Sequence, residues 1–319
     1  MQKDDNIFIA GHLGMVGSAI QRQLLSQGYN KILTREHKDL DLTSQEAVND
    51  FFHSQNIDYV ILAAAKVGGI YANNKFPANF IYENLMIQTN VINSAFKSSV
   101  KRLLFLGSSC VYPKITNQPI SEEALLSSFL EPTNEPYAVA KIAGIKLCES
   151  YNRQFDTDFR SIMPSNLYGV NDNFHPKNSH VIPALIARFH KSKIQKKSSV
   201  TVWGSGGARR EFLYVDDMAK ASIFVLSLDK QIYLDNTKKM QSHINVGTGI
   251  DISIRELVDI IKDVVGFNGE VFFDKSKPEG TKRKLLNINR LTNMGWKFNT
   301  QIRDGIEKTY KWYLENNQI

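Results

Sequence analysis

An apolar run, Ile7-Phe8-Ile9-Ala10, leads straight into Gly11-His12-Leu13-Gly14-Met15-Val16-Gly17. Helical periodicity then carries Ser18 through Leu25. This is a strand, a tight glycine turn and a helix. The glycines, spaced GxxGxxG, permit the turn and let the backbone approach a pyrophosphate at the helix N-terminus. Such a unit belongs in an open parallel sheet with helices on both faces, and it makes Gly11, His12, Gly14, Met15, Val16 and Gly17 candidate dinucleotide contacts.

The chain continues in that pattern. Ile32-Leu33-Thr34 reads as a second strand, Tyr59 to Ala65 as a third, Arg102 to Leu106 as a fourth, and Ile244 to Gly247 as a later one. The third is continuously apolar, as suits a parallel strand buried on both faces. Phe80 to Phe96 predicts a long helix between strands. Past the second strand, Arg35, Lys38, Asp39 and Asp41 fall about where an adenosine ribose should lie. An acid there suits a free 2′-hydroxyl and an arginine a 2′-phosphate, so this spacing leaves NAD and NADP both open.

A length of 319 residues suits two domains or one large α/β domain. The net charge of +7 favours anionic partners, nucleotides among them. No zinc-finger spacing or aromatic RNA-binding signature points to nucleic acid. Lys191, Lys193, Lys196 and Lys197 read as a solvated helix end; Lys282-Arg283-Lys284 is a second basic cluster. Cys110 and Cys148 form neither a disulfide framework nor a metal-ligand spacing. No apolar stretch reaches membrane-spanning length, and residues 1–6 lack the apolar core of a signal peptide. The expectation is a cytoplasmic protein with no metal, nucleic-acid or membrane partner.

Chemistry concentrates at Tyr137-Ala138-Val139-Ala140-Lys141. A tyrosine and a lysine four apart on a helix share a face. An ammonium beside a phenol lowers the phenol's pKa, which gives a ready acid for protonating an alkoxide as a carbonyl is reduced. Alone, the pattern occurs on many amphipathic helices. Here the fourth strand ends in Gly107-Ser108-Ser109-Cys110, at the sheet edge where ligands bind. Ser108, Tyr137 and Lys141 therefore form a reductase constellation.

Longer motifs narrow the comparison. They are Gly107 to Lys114, Glu131-Pro132-Thr133-Asn134-Glu135-Pro136-Tyr137, Asn171 to Pro176, Asn178-Ser179-His180-Val181-Ile182-Pro183, Val202-Trp203-Gly204-Ser205-Gly206 and Asp274 to Lys284. On these the chain, from Ile7 to about Asn316, resembles the GDP-L-fucose synthase family. These are GDP-4-keto-6-deoxy-D-mannose 3,5-epimerase/4-reductases of the extended short-chain dehydrogenase/reductase superfamily. The resemblance implies reduction by Ser108, Tyr137 and Lys141, epimerisation by Cys110 and His180, and NADPH as cofactor. It places Leu106, Gly107, Ser108, Lys141, Pro164, Ser165, Asn166, Leu167 and His180 beside the cofactor. It places Arg188, Trp203, Arg210 and Glu279 against a GDP-sugar substrate. Cysteine and histidine suit an epimerisation because both titrate within a few units of neutrality. Leu13 stands where the family often has arginine, Glu279 where it has aspartate, and Gly207-Ala208-Arg209 departs from its commonest form.

The implied architecture is a Rossmann-type doubly wound parallel sheet with a smaller, sequence-interleaved α/β substrate domain. Residues 1–169, with return segments about 212–249, form the dinucleotide half, and residues 170–211 and 250–319 the substrate half. The segment from Phe212 to Asp217 and the helix after it are expected to pack back on the sheet. The family implies a homodimer. Two other functions fit the same residues: an epimerase/reductase of another GDP-4-keto-6-deoxy sugar, such as a heptose, and a non-catalytic nucleotide-binding protein.

Overall fold

The apolar runs assemble into one six-stranded parallel sheet in the computed structural model, which describes residues 1–175, 179–276 and 281–316. Its first five strands are β1 (Ile7–Ala10), β2 (Ile32–Leu33), β3 (Tyr59–Leu62), β4 (Arg102–Leu106) and β5 (Phe159–Pro164). Three strands of the smaller half follow, β6 (Asn166–Tyr168), β7 (Ser199–Trp203) and β8 (Arg209–Tyr214), before β9 (Ile244–Val246) closes the sheet. The spatial order is β2-β1-β3-β4-β5-β9. The order reverses between β1 and β3, and the crevice at their carboxyl ends is the switch point where such sheets bind ligands.

Side chains alternate between the two faces of each strand, so each face needs its own helices. Phe8 and Ala10 join Phe51, Phe52, Val91, Phe105 and Ile145 in one core, beneath α2 (Gln45–Ser54), α4 (Pro77–Lys97) and α5 (Glu135–Phe155). Ile7 and Ile9 join Ile20, Leu24, Leu213, Met218 and Leu226 in the other, beneath α1 (Met15–Ser26) and α7 (Val215–Ser227). A short helix, α3 (Ile70–Lys75), precedes α4, and α6 (Val181–Ile194) belongs to the smaller half. Among the described residues no helix is long and apolar enough to cross a membrane.

In the smaller half, β8 pairs with β6, with β10 (Asp251–Ser253) and with β12 (Arg283–Lys284). There β7 pairs with β11 (Glu270–Asp274). A third core packs α6, α9 (Ile254–Val265) and α11 (Ile302–Asn316) through Leu185, Phe189, Leu257, Ile261, Ile306 and Tyr313. Ser253 and Glu256 form a capping box at the start of α9. Lys193 is not merely solvated: its Nζ donates to Val265 O, 2.8 Å away, at the other end of that helix. Two short helices, α8 (Lys230–Asp235) and α10 (Asn289–Asn293), complete the fold, and Leu291 of α10 returns to the core beneath α1 and α7.

Three expectations change. The third strand ends at Leu62 rather than Ala65, because the chain bends there around the glycine turn. A Cβ on Gly11 would lie 2.7 Å from Ala64 N. The second strand is two residues long, at a half-buried edge. The apolar run after Arg210 splits in two. Helix α7 packs on the main sheet as expected, but Phe212–Tyr214 lie in β8 of the smaller sheet, so the chain changes sheets between Tyr214 and Val215.

Helices α4 and α5 approach closely at Gly144. A Cβ there would lie 2.4 Å from the Phe105 ring and 2.8 Å from Gln88 Oε1. Alanine favours helix over glycine by about 1 kcal/mol. Overpacking costs roughly 1–3 kcal/mol. Packing should win, so Gly144→Ala is expected to lower the midpoint of urea unfolding. An unchanged or higher midpoint would show that the two helices yield.

Candidate active site

Helix α5 begins with Pro136 in its first turn, a position that needs no N–H, so its register is set just before Tyr137. One turn later Lys141 is buried, and its Nζ donates to Leu106 O over 2.9 Å. The ammonium lies 4.8 Å from the Phe105 ring centroid and 5.9 Å from that of Tyr137. Leu106 ends β4, and the next residues make a single 3-10 turn, Ser109–Val111. Ser108 Oγ accepts from Cys110 N at 3.3 Å and also hydrogen-bonds Tyr137. Four expected residues, Ser108, Cys110, Tyr137 and Lys141, therefore meet at the carboxyl edge of β4.

Their protonation is the reverse of the sequence expectation. Burial raises the pKa of the Tyr137 phenol well above its ordinary value; negative charge at Cys110 adds to the rise, and the Ser108 hydrogen bond opposes it. Burial pushes Lys141 down to about 7. The sequence pattern suggested a phenol acidified by its lysine. In the fold the lysine's amino group is directed to a carbonyl, and both groups disfavour charge because water is excluded. Tyr137 is thus a firmly protonated donor.

His180 stands on a different element, as N-cap of α6. Although exposed, it is crowded by protein, and this desolvation lowers its pKa. Desolvation is the cause of that shift, and His180 comes from a part of the chain well beyond the β4 loop and α5 that carry the other four residues.

Arg188, Trp203 and Arg210, from α6, β7 and β8, line one cleft of about 260 Å³. Burial lowers the pKa of both arginines, a cost that an anionic ligand would relieve. Trp203 is 62% exposed there, leaving an aromatic face open for stacking. Lys284, read from sequence only as part of a basic cluster, is in register with Arg210 on the adjacent parallel strand. Its alternation with Arg283, which turns to Asp251 on the other face, was the available signal. Two cations side by side favour an anion between them. Glu279 lies outside the described residues.

The glycine turn fits a dinucleotide on its own geometry. Gly11 has φ +90°, and a Cβ on Gly17 would lie 2.1 Å from Gly11 O, so the turn itself requires both. Gly14 differs: its Cβ would meet only Gly11 O at 3.5 Å, so protein packing leaves room beside it. Helix α1 starts there with no side-chain cap and no acid in its first turn, which leaves its N–H groups and positive dipole end open to a phosphate. His12 Nδ1 and, at the end of β5, Ser165 Oγ are buried without a hydrogen-bond partner. Met15 and Val16 open the helix. Leu106, Gly107, Pro164, Ser165, Asn166 and Leu167 lie at the carboxyl ends of β4 and β5 and in β6. Arg35 is exposed after β2, stacked 5.1 Å over the Phe51 ring centroid. Asp41 instead accepts hydrogen bonds from Thr43 N and Oγ1, which lower its pKa and close its own turn. Sequence reading also missed Asn171 as a link: its Nδ2 donates to Leu13 O at 2.9 Å, tying the substrate-side segment to this turn.

The profile of the family described as "NAD dependent epimerase/dehydratase family" matches residues 7–247. A GDP-L-fucose synthase of Escherichia coli (strain K12) is 59% identical, covering 97% of this chain and 97% of its own. Among solved structures, a GDP-6-OMe-4-keto-L-xylo-heptose reductase from C. jejuni aligns with a TM-score of 0.92 at 38% identity, covering 99% of each chain. A GDP-L-fucose synthetase from Naegleria fowleri bound to NADP aligns with a TM-score of 0.88 at 27% identity, covering 99% of this chain and 96% of its own.

The buried lysine yields a stability test. Its pKa is depressed in the fold, so the folded state resists the proton that the unfolded chain accepts. The resulting penalty is full below about pH 7 and disappears as pH rises toward the unfolded lysine value. Lys141→Met should therefore be more stable than the parent at pH 6, on the order of 1–4 kcal/mol after the lost Leu106 hydrogen bond. The gain should shrink toward pH 10. Thermal unfolding across that range checks it; a destabilised variant at pH 6 would contradict the account.

Proposed function

The chain belongs to the NAD dependent epimerase/dehydratase family, and on that premise we propose that it acts as a GDP-L-fucose synthase. It is an NADP-dependent oxidoreductase with epimerase activity. It inverts C3 and C5 of GDP-4-keto-6-deoxy-D-mannose and reduces C4, giving GDP-L-fucose. The observation that carries this reading is the meeting of Ser108, Cys110, Tyr137 and Lys141 at one sheet edge, beside the glycine turn. The 59% identity to a GDP-L-fucose synthase, against 38% to the heptose reductase, supports a hexose over a heptose. The same reading takes the protein as a cytoplasmic homodimer without nucleic-acid or membrane partners. It keeps the division near residues 1–169 with about 212–249, and 170–211 with 250–319, except that β6 and Phe212–Tyr214 of β8 go with the smaller half.

Arg188, Arg210 and Lys284 hold the diphosphate, Trp203 packs on the nucleotide, and Glu279 is a further substrate contact. The 4-keto group acidifies the C3 and C5 protons. Cys110 and His180 exchange those protons, one removing and the other returning on the opposite side. Ser108 and Tyr137 donate to O4 and stabilise the enolate that each removal leaves. Gly11, His12, Gly14, Met15, Val16, Gly17 and Arg35 hold NADPH, with Asp41 nearby. Leu106, Gly107, Pro164, Ser165, Asn166, Leu167 and His180 flank its reactive end, and the cofactor when bound supplies a hydride for C4. Tyr137 then gives its proton to O4. Its raised pKa keeps that proton in place until an alkoxide, a stronger base, develops. Lys141, titrating near neutrality, stabilises the phenolate left behind.

The test is turnover of GDP-4-keto-6-deoxy-D-mannose with NADPH, with the product identified by NMR. GDP-L-fucose is expected. Cys110→Ser, nearly isosteric but a far poorer base, should lose deuterium incorporation at C3 and C5 in D2O by about 100-fold or more while still oxidising NADPH. Incorporation at the parent rate would remove Cys110 from the mechanism, and a product other than GDP-L-fucose from the parent would overturn the substrate assignment.

A further inference from the structure

Glu211 stands next to Arg210 on β8, with its side chain on the opposite face of the strand. It is 1% exposed, and its carboxylate collects backbone hydrogen bonds from two chain segments. Oε1 accepts from Thr248 N at 2.6 Å and Gly249 N at 2.7 Å, just beyond the last strand of the main sheet. Oε2 accepts from Leu286 N at 2.9 Å, beyond β12. Its backbone carbonyl accepts from Asn166 Nδ2 at 2.7 Å, on the strand that follows β5. One residue thus joins the main sheet's last strand, the cofactor-side segment and the strands bearing Arg210 and Lys284. Room for it is specifically kept: a Cβ on Gly247 would lie 2.2 Å from Glu211 Oε1.

We propose that Glu211 is a positioning residue, a buried carboxylate latch that holds the diphosphate-binding Arg210 in register with the cofactor-side Asn166. This rests on the function proposed above. An ordinary structural carboxylate on a β-strand would face solvent or a cation. The cations on this face, Arg209 and Arg283, are both turned to Asp251, directly across on β10. The other groups that meet the Glu211 carboxylate are backbone amides and the Thr248 hydroxyl. The three short hydrogen bonds to its two oxygens all come from backbone N–H groups, which can only donate, so the latch needs both oxygens as acceptors. Burial outweighs these bonds and pushes Glu211 up to about 7. Protonation makes one oxygen a donor, which faces an N–H and opens that side. The latch is therefore closed above about pH 7 and loosened below it.

Glutamine keeps the shape but has one acceptor oxygen, like the protonated acid. The experiment measures KM for GDP-4-keto-6-deoxy-D-mannose, kcat and the NADPH Kd from pH 6.0 to 8.5 in the parent, Glu211→Gln and Gly247→Ala. The parent's KM should fall as pH rises through about 7. In Glu211→Gln it should be about tenfold higher at pH 8 and independent of pH, with kcat and the NADPH Kd within threefold of the parent. Gly247→Ala, which displaces the carboxylate without altering it, should raise KM likewise. A parental KM at pH 8 in Glu211→Gln, a retained pH dependence, or kcat and NADPH affinity falling together with KM would overturn the latch. So would failure of both variants to fold, since that assigns Glu211 to structure alone. If the parent does not consume the keto-sugar, the functional reading fails. Calorimetric binding of GDP at pH 8 then still decides the latch, which predicts about tenfold weaker binding in both variants.

Discussion

Lys141 carries its amino group beneath α5 to within 2.9 Å of Leu106 O, and the arrangement of the site follows from that bond. It joins the helix bearing Tyr137 to the strand whose next residues are Gly107, Ser108 and, two positions on, Cys110. The helix cannot turn or slide without breaking a hydrogen bond to a buried charge, which is costly. Burial that makes the bond firm also moves the protons. The lysine is held near its point of half-protonation, and the phenol one turn earlier keeps its proton tightly. A donor that releases its proton only to a strong base suits a reaction in which an alkoxide forms late.

Around this pair the fold brings together parts far apart in the chain. The glycine turn opens the sequence, the acid–base loop leaves β4, and the arginine cleft comes from α6 and β8. The connections between them are few and specific. Asn171 reaches from the substrate-side segment to Leu13 O in the glycine turn. Glu211 ties the loop after β9 to β8 and Leu286. The two sheets are thus joined by polar bonds between backbone and side chains as well as by apolar packing. This permits accurate placement of two ligands on two separately built frames.

Much of this was legible from residues in order. The β1–turn–α1 unit, β4 at Arg102–Leu106 and the start of α5 at Glu135 follow from local signals: glycine spacing, a continuous apolar run, and proline in a first turn. Other features depend on what packs above them. Phe212–Tyr214 look like a strand of the main sheet, but apolar pattern does not reveal which sheet a strand joins. The direction of the Tyr137 shift was missed because a helical face tells which groups are close and not how much water reaches them. Asp41 lay at the right distance from β2 for a ribose contact, yet Thr43 two residues later takes its carboxylate locally. Lys284 and Glu211 became readable only through strand register, which pairs one with Arg210 and sets the other on the opposite face.

The central claim is that Tyr137, held by Ser108 and by the Lys141 helix turn, is the acid that completes reduction. The most direct measurement is single-turnover NADPH oxidation by Tyr137→Phe with GDP-4-keto-6-deoxy-D-mannose. NADPH binding and deuterium exchange at C3 and C5 are followed in the same sample. The account predicts a loss of about 100-fold or more in oxidation, the scale of a removed general acid. NADPH affinity should be unchanged, and exchange should continue through the remaining Ser108 donor, slowed far less than oxidation. Oxidation near the parent rate would contradict it.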